Sequence, residues 1–168
     1  MHGPIALMLV PTMFLMAASA PDSSATDLAV MGVRLGISPA EARQVLKAES
    51  QAIEEHAVPC PLPPAQGCRL IRAALPDGSM DILFQSSATG PLAVRITFTV
   101  KGRGERDRAM VLAAAIDHYG PPTLNGSAWC VPDQRERQCS DDAPSMVFNP
   151  LAGAAGQFIL AAPAHGEP

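Results

Sequence analysis

Four cysteines are the residues of this sequence whose spacing bears most directly on chemistry, with Cys60 close to Cys68 and Cys130 close to Cys139. Neither pair has the Cys-x-x-Cys spacing of redox-active thiols. An even number of cysteines at such spacings is typical of disulfides in an oxidising compartment. Close spacing favours the local pairs, each worth roughly 2 to 3 kcal/mol by loop entropy. Pairing between the two clusters would stabilise by nearer to about 4 kcal/mol and stays open.

Acid–base chemistry could be served by Asp117 and His118, which are neighbours in the sequence. A hydrolase also needs a nucleophile, and no Gly-x-Ser-x-Gly motif accompanies the pair. The sequence therefore predicts a surface pair near a helix end and no catalytic residues. A hydrolase that uses His118 and Asp117 is the least favoured of the alternatives.

Metal binding could be served by Glu54, Glu55 and His56 followed by Cys60. Cys68 follows this set, but the spacing is not a zinc pattern, because it lacks a second close cysteine pair with ligand spacing. A histidine at a helix end is favourable to the helix dipole, which explains His56 without a ligand. We therefore predict no metal and no cofactor.

The net charge of −4 argues against a nucleic-acid function, because nucleic-acid-binding proteins usually carry a basic stripe. Lys101, Arg103, Arg106 and Arg108 could receive an anionic ligand, but Glu105 and Asp107 alternate with them. Local ion pairs in a solvated turn, worth less than about 1 kcal/mol each, are the expected arrangement.

Protein–protein recognition has its best candidates in Trp129, Arg135 and Arg137. Tryptophan is enriched in binding hot spots, although a tryptophan beside a disulfide also packs commonly as core. The two arginines lie in a charged turn, from Asp133 to Arg137, that a Cys130–Cys139 bond would close. A secreted enzyme inhibitor would present such a turn.

The elements that must position these residues follow an apolar run from Ile5 to Ala20 that ends in Ala-Ser-Ala. We assign residues 1–20 to a signal peptide, 21–26 to a linker, 27–162 to a single α+β domain and 163–168 to a disordered tail. An uncleaved anchor is the alternative, but the run contains Pro11 and is shorter than the roughly 20 residues of a spanning helix. No cysteine follows the run to carry a lipid anchor, so we expect a soluble periplasmic or secreted protein.

The first helix has a well-marked start at Ser38, Pro39 and Glu41. Ser38 and Glu41 have the spacing of a capping box, and proline is favoured at the first helical position. Apolar residues then recur at helical spacing, which predicts an amphipathic helix from Pro39 to Ala57, ended by Pro59.

The rest of the domain is predicted as strands around a second helix. The residues from Cys68 to Val100 indicate a three-stranded meander with turns at PDGS and ATGP; its first strand, CRLIRAAL, is predicted at an edge because Arg69 and Arg72 fall on opposite faces. In its third strand Leu92, Val94, Ile96, Phe98 and Val100 alternate with Ala93 and polar residues, so the first set is predicted to be buried.

A helix from Glu105 to Tyr119 follows, apolar nearly all round from Met110 to Ile116 and therefore predicted to be buried against the sheet. Further strands are predicted at 127–131, 145–148 and 157–161. The fold class is α+β: an antiparallel sheet of about four to six strands with two helices packed on one face. Each half places a helix before a cysteine pair and strands, which is a weak pseudo-repeat.

Two segments resemble those of small periplasmic proteins with a BamE-like or β-lactamase-inhibitor-like fold. LGISPAEARQVL is similar to their Gly-Met-Ser or Gly-Met-Thr helix start, with Ile37 in place of the methionine, and AAAIDHYGPPT is similar to their Leu-x-x-x-Tyr-Gly-x-Pro helix end. The resemblance implies an α+β sandwich and binding rather than catalysis. We therefore expect an exported binding or accessory protein of the bacterial cell envelope with a protein partner, and a secreted enzyme inhibitor as the alternative.

Overall fold

The computed structural model describes residues 28–60, 67–133 and 138–163. The predicted signal peptide, the linker and residues 164–168 of the predicted tail lie outside these ranges, as do Arg135 and Arg137. Within the described residues the chain forms two helices and eleven short or long strands. In chain order these are β1 (Ala29–Val30), β2 (Val33–Arg34), α1 (Pro39–Leu46), β3 (Ala52–Val58), β4 (Cys68–Leu75), β5 (Gly78–Ser87), β6 (Gly90–Val100), α2 (Gly104–Tyr119), β7 (Ala128–Cys130), β8 (Pro132–Asp133), β9 (Gln138–Cys139), β10 (Ser145–Asn149) and β11 (Gly156–Ala161).

The main sheet is antiparallel, has seven strands and follows the order β3-β4-β5-β6-β11-β10-β7. Two small hairpins, β1–β2 and β8–β9, stand apart from it. The predicted α+β class and the 68–100 meander are confirmed. The sheet is larger than the predicted four to six strands because β3 joins it.

The first helix ends eleven residues before the predicted Ala57, at Leu46, and its last predicted stretch is strand β3. The predicted start is confirmed: Glu41 N donates to Ser38 Oγ at 3.3 Å, and Ser38 N donates to a carboxylate oxygen of Glu41 at 2.8 Å. The helix buries Pro39, Ala42 and Leu46. The next positions on that stripe, Glu49 and Ser50, are polar, so the apolar stripe is interrupted directly after Leu46.

Strand β4, predicted as an edge, lies between β3 and β5, and the edge strand is β3. Its two arginines fit there because each faces an acid on a neighbouring strand. Arg72 donates two hydrogen bonds to the Asp81 carboxylate at 2.8 and 2.9 Å, and Arg69 donates to Glu55 at 3.3 Å. An interior strand therefore tolerates arginine when cross-strand partners are available.

The alternation in β6 is interrupted where its register against β5 shifts, between Leu83 and Phe84. Phe84 pairs with Ala93 and Leu83 with Arg95, so Val94 is the extra residue of a bulge. Ala93, predicted to face water, is therefore buried together with Ile96 and Phe98, and Leu92 and Val94 are only half-buried. Beside the bulge, Ala93 exchanges backbone hydrogen bonds with Gly36 and Ile37, which fixes the segment leading into α1.

A single hydrophobic cluster forms the core. Ala42 and Leu46 of α1 and Ala115 of α2 belong to the same cluster as one face of the sheet. Across that face, paired residues on successive strands form a continuous apolar row. The row consists of Ile71, Ile82, Ile96, Leu160, Met146 and Trp129.

The second helix is much more exposed than predicted. Ala115 is its one buried residue, whereas Met110 and Ile116 leave 63% and 36% of their surface in solvent. The helix is rich in alanine, whose small side chain makes the sequence apolar without filling space. Only one stripe of α2 therefore faces the core. Neither described helix has the length and apolarity needed to cross a membrane.

Candidate functional site

A cleft of about 550 Å³ opens between α2, the β1–β2 hairpin and one end of the main sheet. Val111 and Ala115 of α2 form one wall. Phe98 and Phe158, on adjacent strands, form its floor. Because small alanines stand on α2 where larger residues would fill the space, the helix spans the sheet without closing onto it. We name this feature the α2 cleft.

Hydrogen bonds cap the N-terminal end of α2 and attach its C-terminal end to neighbouring elements. At the N-terminal end, Asp107 accepts a bond of 2.6 Å from the backbone N–H of Arg103. At the C-terminal end, Tyr119 OH donates to the carbonyl of Ala29 in β1 at 2.6 Å. Beyond the helix, Trp129 Nε1 donates to the carbonyl of Gly120 at 2.9 Å. The C-terminal end of the helix is thus attached to the β1–β2 hairpin and to β7, whereas the bond at the N-terminal end caps the helix itself.

Burial of the phenol raises the pKa of Tyr119 above its ordinary value of 10.0. The ring packs edge-on against His118, with 4.6 Å between ring centroids, and against Trp129, with 5.9 Å. Tyr119 is therefore neutral at physiological pH and serves as a hydrogen-bond donor that joins α2 to the β1–β2 hairpin.

Four polar side chains line the α2 cleft: Lys101, Asp77, His118 and Tyr119, whose hydroxyl is already bonded to the Ala29 carbonyl. Lys101 Nζ donates to the carbonyl of Pro76 at 2.8 Å. Among the described residues, no carboxylate comes within ion-pair distance of Lys101. A mostly apolar cleft with a few convergent polar groups has the character of a small-molecule binding site, and its volume falls in the usual range of roughly 300 to 1,000 Å³.

The two residues of the predicted acid–base pair, Asp117 and His118, point in different directions from α2. His118 faces the α2 cleft, but Asp117 is exposed and does not line it. Consecutive residues of a helix point in different directions, so the two side chains have no hydrogen bond between them in the described part of the chain. The arrangement can place an imidazole against a bound molecule, without a carboxylate partner from its neighbour.

The cysteines form two disulfides, Cys60–Cys68 and Cys130–Cys139, as the local spacing predicts. The first joins the ends of β3 and β4, and the second closes the β8–β9 hairpin. Across residues 28–60, 67–133 and 138–163, no group of three or more His, Cys, Asp or Glu side chains is placed to hold a metal ion.

Of the predicted partner-binding residues, Trp129 lies in the core with 4% of its surface exposed. It pairs with Met146 of β10 in the apolar row, so its ring packs inside the molecule. Arg135 and Arg137 lie outside the described residues.

Sequence reasoning did not find the α2 cleft. The signal that could have indicated it is the pair Ala114 and Ala115, because two small residues cannot fill the space over a sheet that presents Phe98 and Phe158. Compared with family models, curated proteins and solved structures, the chain matches none of them.

Proposed function

We propose that this chain is an exported binding or accessory protein of the bacterial cell envelope, without catalytic activity, and that it binds an apolar ligand in the α2 cleft. The observation that carries the proposal is the cleft itself. An opening of about 550 Å³ that is lined mostly by apolar side chains offers a space from which an apolar ligand would displace water.

Export is supported by the two disulfides, which are typical of oxidising compartments such as the periplasm or the extracellular space. The apolar run from Ile5 to Ala20 and the BamE-like helix start add to this proposal from the sequence. The specific assignment to the bacterial envelope rests on that resemblance.

The proposal takes α1 and α2 to lie on the same face of the main sheet. Support comes from Ala42, Leu46 and Ala115, which share one core cluster with that face. The opposite face carries charged and polar residues such as Arg72, Asp81 and Arg95, and it would be left open to a protein partner in the envelope.

Binding can be tested with Nile red, a neutral dye that fluoresces when it leaves water. Ala114 lines the cleft and is exposed, so Ala114→Phe should fill the opening without disturbing the core. We expect at least a roughly tenfold loss of dye affinity, which corresponds to about 1.4 kcal/mol.

The matched control is Ala113→Phe, which adds the same ring one residue earlier, on a part of α2 that does not line the cleft. Its dye affinity should equal that of the unmodified protein. If the dye does not bind at all, or if both variants lose dye affinity equally, the cleft is not the binding site.

The two alternative functions stay predictions. An enzyme inhibitor would act through Arg135 and Arg137, and unchanged inhibition after replacing both with alanine would exclude it. A hydrolase would use His118, and a hydrolytic activity that survives His118→Ala would exclude that role.

A further inference from the structure

Lys101 and Asp77 are the charged side chains that line the α2 cleft, and they differ in whether a hydrogen bond holds the charged group. Lys101 Nζ is held in place by its 2.8 Å bond to the carbonyl of Pro76. An ammonium group has three donors, and this bond uses one of them. No carboxylate of the described residues neutralises the charge. Lys101 therefore offers a fixed positive charge with two donors to spare.

Asp77 also lines the cleft, but its side chain is differently situated. It lies in the exposed turn between β4 and β5, and only its backbone carbonyl is engaged, by the N–H of Lys101 at 2.8 Å. No contact within the described chain fixes its carboxylate, so the group is free to turn toward water. His118, on α2, has no hydrogen bond to the described residues, and a neutral imidazole offers one ring N–H donor and one ring-nitrogen acceptor. Donors therefore outnumber fixed acceptors at the cleft.

We propose that the ligand of the α2 cleft is a single-chain amphiphile with a carboxylate head, such as a fatty acid, and that its head group binds Lys101. The inference rests on the binding function proposed above and names the ligand class. The acyl chain would lie over Phe98 and Phe158, under the alanines of α2, where the surface is apolar. A charge-assisted bond from a pre-positioned ammonium strengthens binding because little freedom is lost when it forms.

The proposal can be tested by calorimetry on the full chain with three ligands of equal chain length: decanoate, decanol and decyltrimethylammonium. Decanoate should bind at least about tenfold more tightly than decanol, the difference expected of one charge-assisted hydrogen bond. Decyltrimethylammonium should bind more weakly than decanol. Octanoate, which lacks two methylenes, should bind about fifteenfold more weakly than decanoate.

Lys101→Met keeps the length and apolar stem of the side chain and removes the charge. It should abolish the preference for decanoate while decanol binds as before, which shows that the cleft is intact. The matched control is Lys47→Met, because Lys47 is exposed after α1 and does not line the cleft. That variant should retain the preference.

Three results would overturn the inference. They are equal affinity for decanoate and decanol, tighter binding of decyltrimethylammonium than of decanol, and a preference for decanoate that survives Lys101→Met. If Nile red binds in the cleft and decanoate shows no preference, only the head-group assignment is wrong. If no apolar probe binds at all, the proposed function itself fails.

Discussion

Glu41 is the single residue whose charge has the clearest consequence for stability. Its carboxylate accepts hydrogen bonds from the backbone N–H and the hydroxyl of Ser38, both at 2.8 Å, and these bonds lower its pKa below the ordinary value of 4.5. The stabilisation is therefore fully present above pH 4.5 and is lost as the pH falls through the lower, folded-state value.

We predict that Glu41→Gln destabilises the protein at neutral pH and that the difference from the unmodified chain narrows as the pH falls below 4.5. Urea unfolding at a series of pH values measures the difference. The control is Glu49→Gln, an exposed carboxylate beyond the end of α1. If the difference in the free energy of unfolding between Glu41→Gln and the unmodified chain stays constant down to low pH, the electrostatic role of the capping box is contradicted.

Tyr119 is the single tyrosine of the sequence, so its titration can be followed without interference. Its pKa is raised by burial, which means that the folded state holds the phenolic proton more tightly than the unfolded state does. The corresponding stability is complete below pH 10.0 and declines as the pH rises further.

We predict that the phenolate absorbance of the folded protein appears at higher pH than that of urea-unfolded protein, because burial raises the pKa of Tyr119 above its ordinary value of 10.0. Tyr119→Phe removes the bond to Ala29 and should lower the free energy of unfolding by about 1 kcal/mol at neutral pH. Tyr119→Phe should also lack the part of the fall in stability at alkaline pH that comes from ionisation of Tyr119. Identical titration curves for folded and unfolded protein would show that the phenol is not buried.

Among the elements, strand β7 shows how the sheet ends without a further strand. Its outer edge is covered by the two residues that precede the turn: Thr123 N donates to the carbonyl of Ala128 at 2.8 Å, and Leu124 pairs with Ala128 as an isolated bridge. The Thr123 hydroxyl accepts from Cys130 N at 2.9 Å and lies 2.9 Å from the Cys130 carbonyl. One side chain therefore satisfies backbone groups that another strand would otherwise pair with.

We predict that Thr123→Val destabilises the protein by about 1 to 3 kcal/mol, because valine keeps the shape but leaves buried groups of Cys130 unpaired. Thr97→Val is the control, since Thr97 faces the polar side of β6 and its hydroxyl has no bond among the described residues. Denaturant unfolding compares the two. Equal effects would show that the Thr123 hydroxyl does not protect the edge.

The two helices illustrate what propensity can and cannot indicate. The start of α1 was predictable because Ser38, Pro39 and Glu41 act within one turn. Its end was not, because the choice of strand for Ala52–Val58 depends on pairing with β4, which is distant in sequence. The exposure of α2 could not be predicted either. An alanine-rich helix has the same sequence pattern whether the space between it and the sheet is filled or left open as a cleft.

Viewed as a whole, the molecule consists of two successive meanders joined side by side. The first is β3-β4-β5-β6 after α1, and the second is β7-β10-β11 after α2, with the β8–β9 hairpin inserted in it. The strands β6 and β11 join them, and the pair Phe98–Phe158 lies at that junction. Among the residues that the structure describes, the second meander has no counterpart of β3, and Thr123 covers the outer edge of β7 where it would lie.

Because one core cluster runs through both meanders, we predict that they unfold together. Trp129, the single tryptophan, reports on β7 by fluorescence, and far-ultraviolet circular dichroism reports on the whole chain. The two transitions in urea should coincide. Ile71→Ala in β4 should shift both by the same amount, corresponding to about 2 to 5 kcal/mol. A fluorescence transition unaffected by Ile71→Ala would show that the meanders are independent.

By itself the sequence determined the features that depend on neighbouring residues: the capping box of α1, the end of α2 at Gly120 and the turns of the first meander. It favoured the local pairing of the cysteines without deciding it. Only the tertiary structure decided that residues 52–58 form the edge strand, that a bulge at Val94 buries Ala93, and that α2 stands above an open cleft. The physical reason is one of range. Caps and turns are satisfied within a few residues, whereas strand pairing and the filling of space depend on side chains that the chain brings together only when it folds.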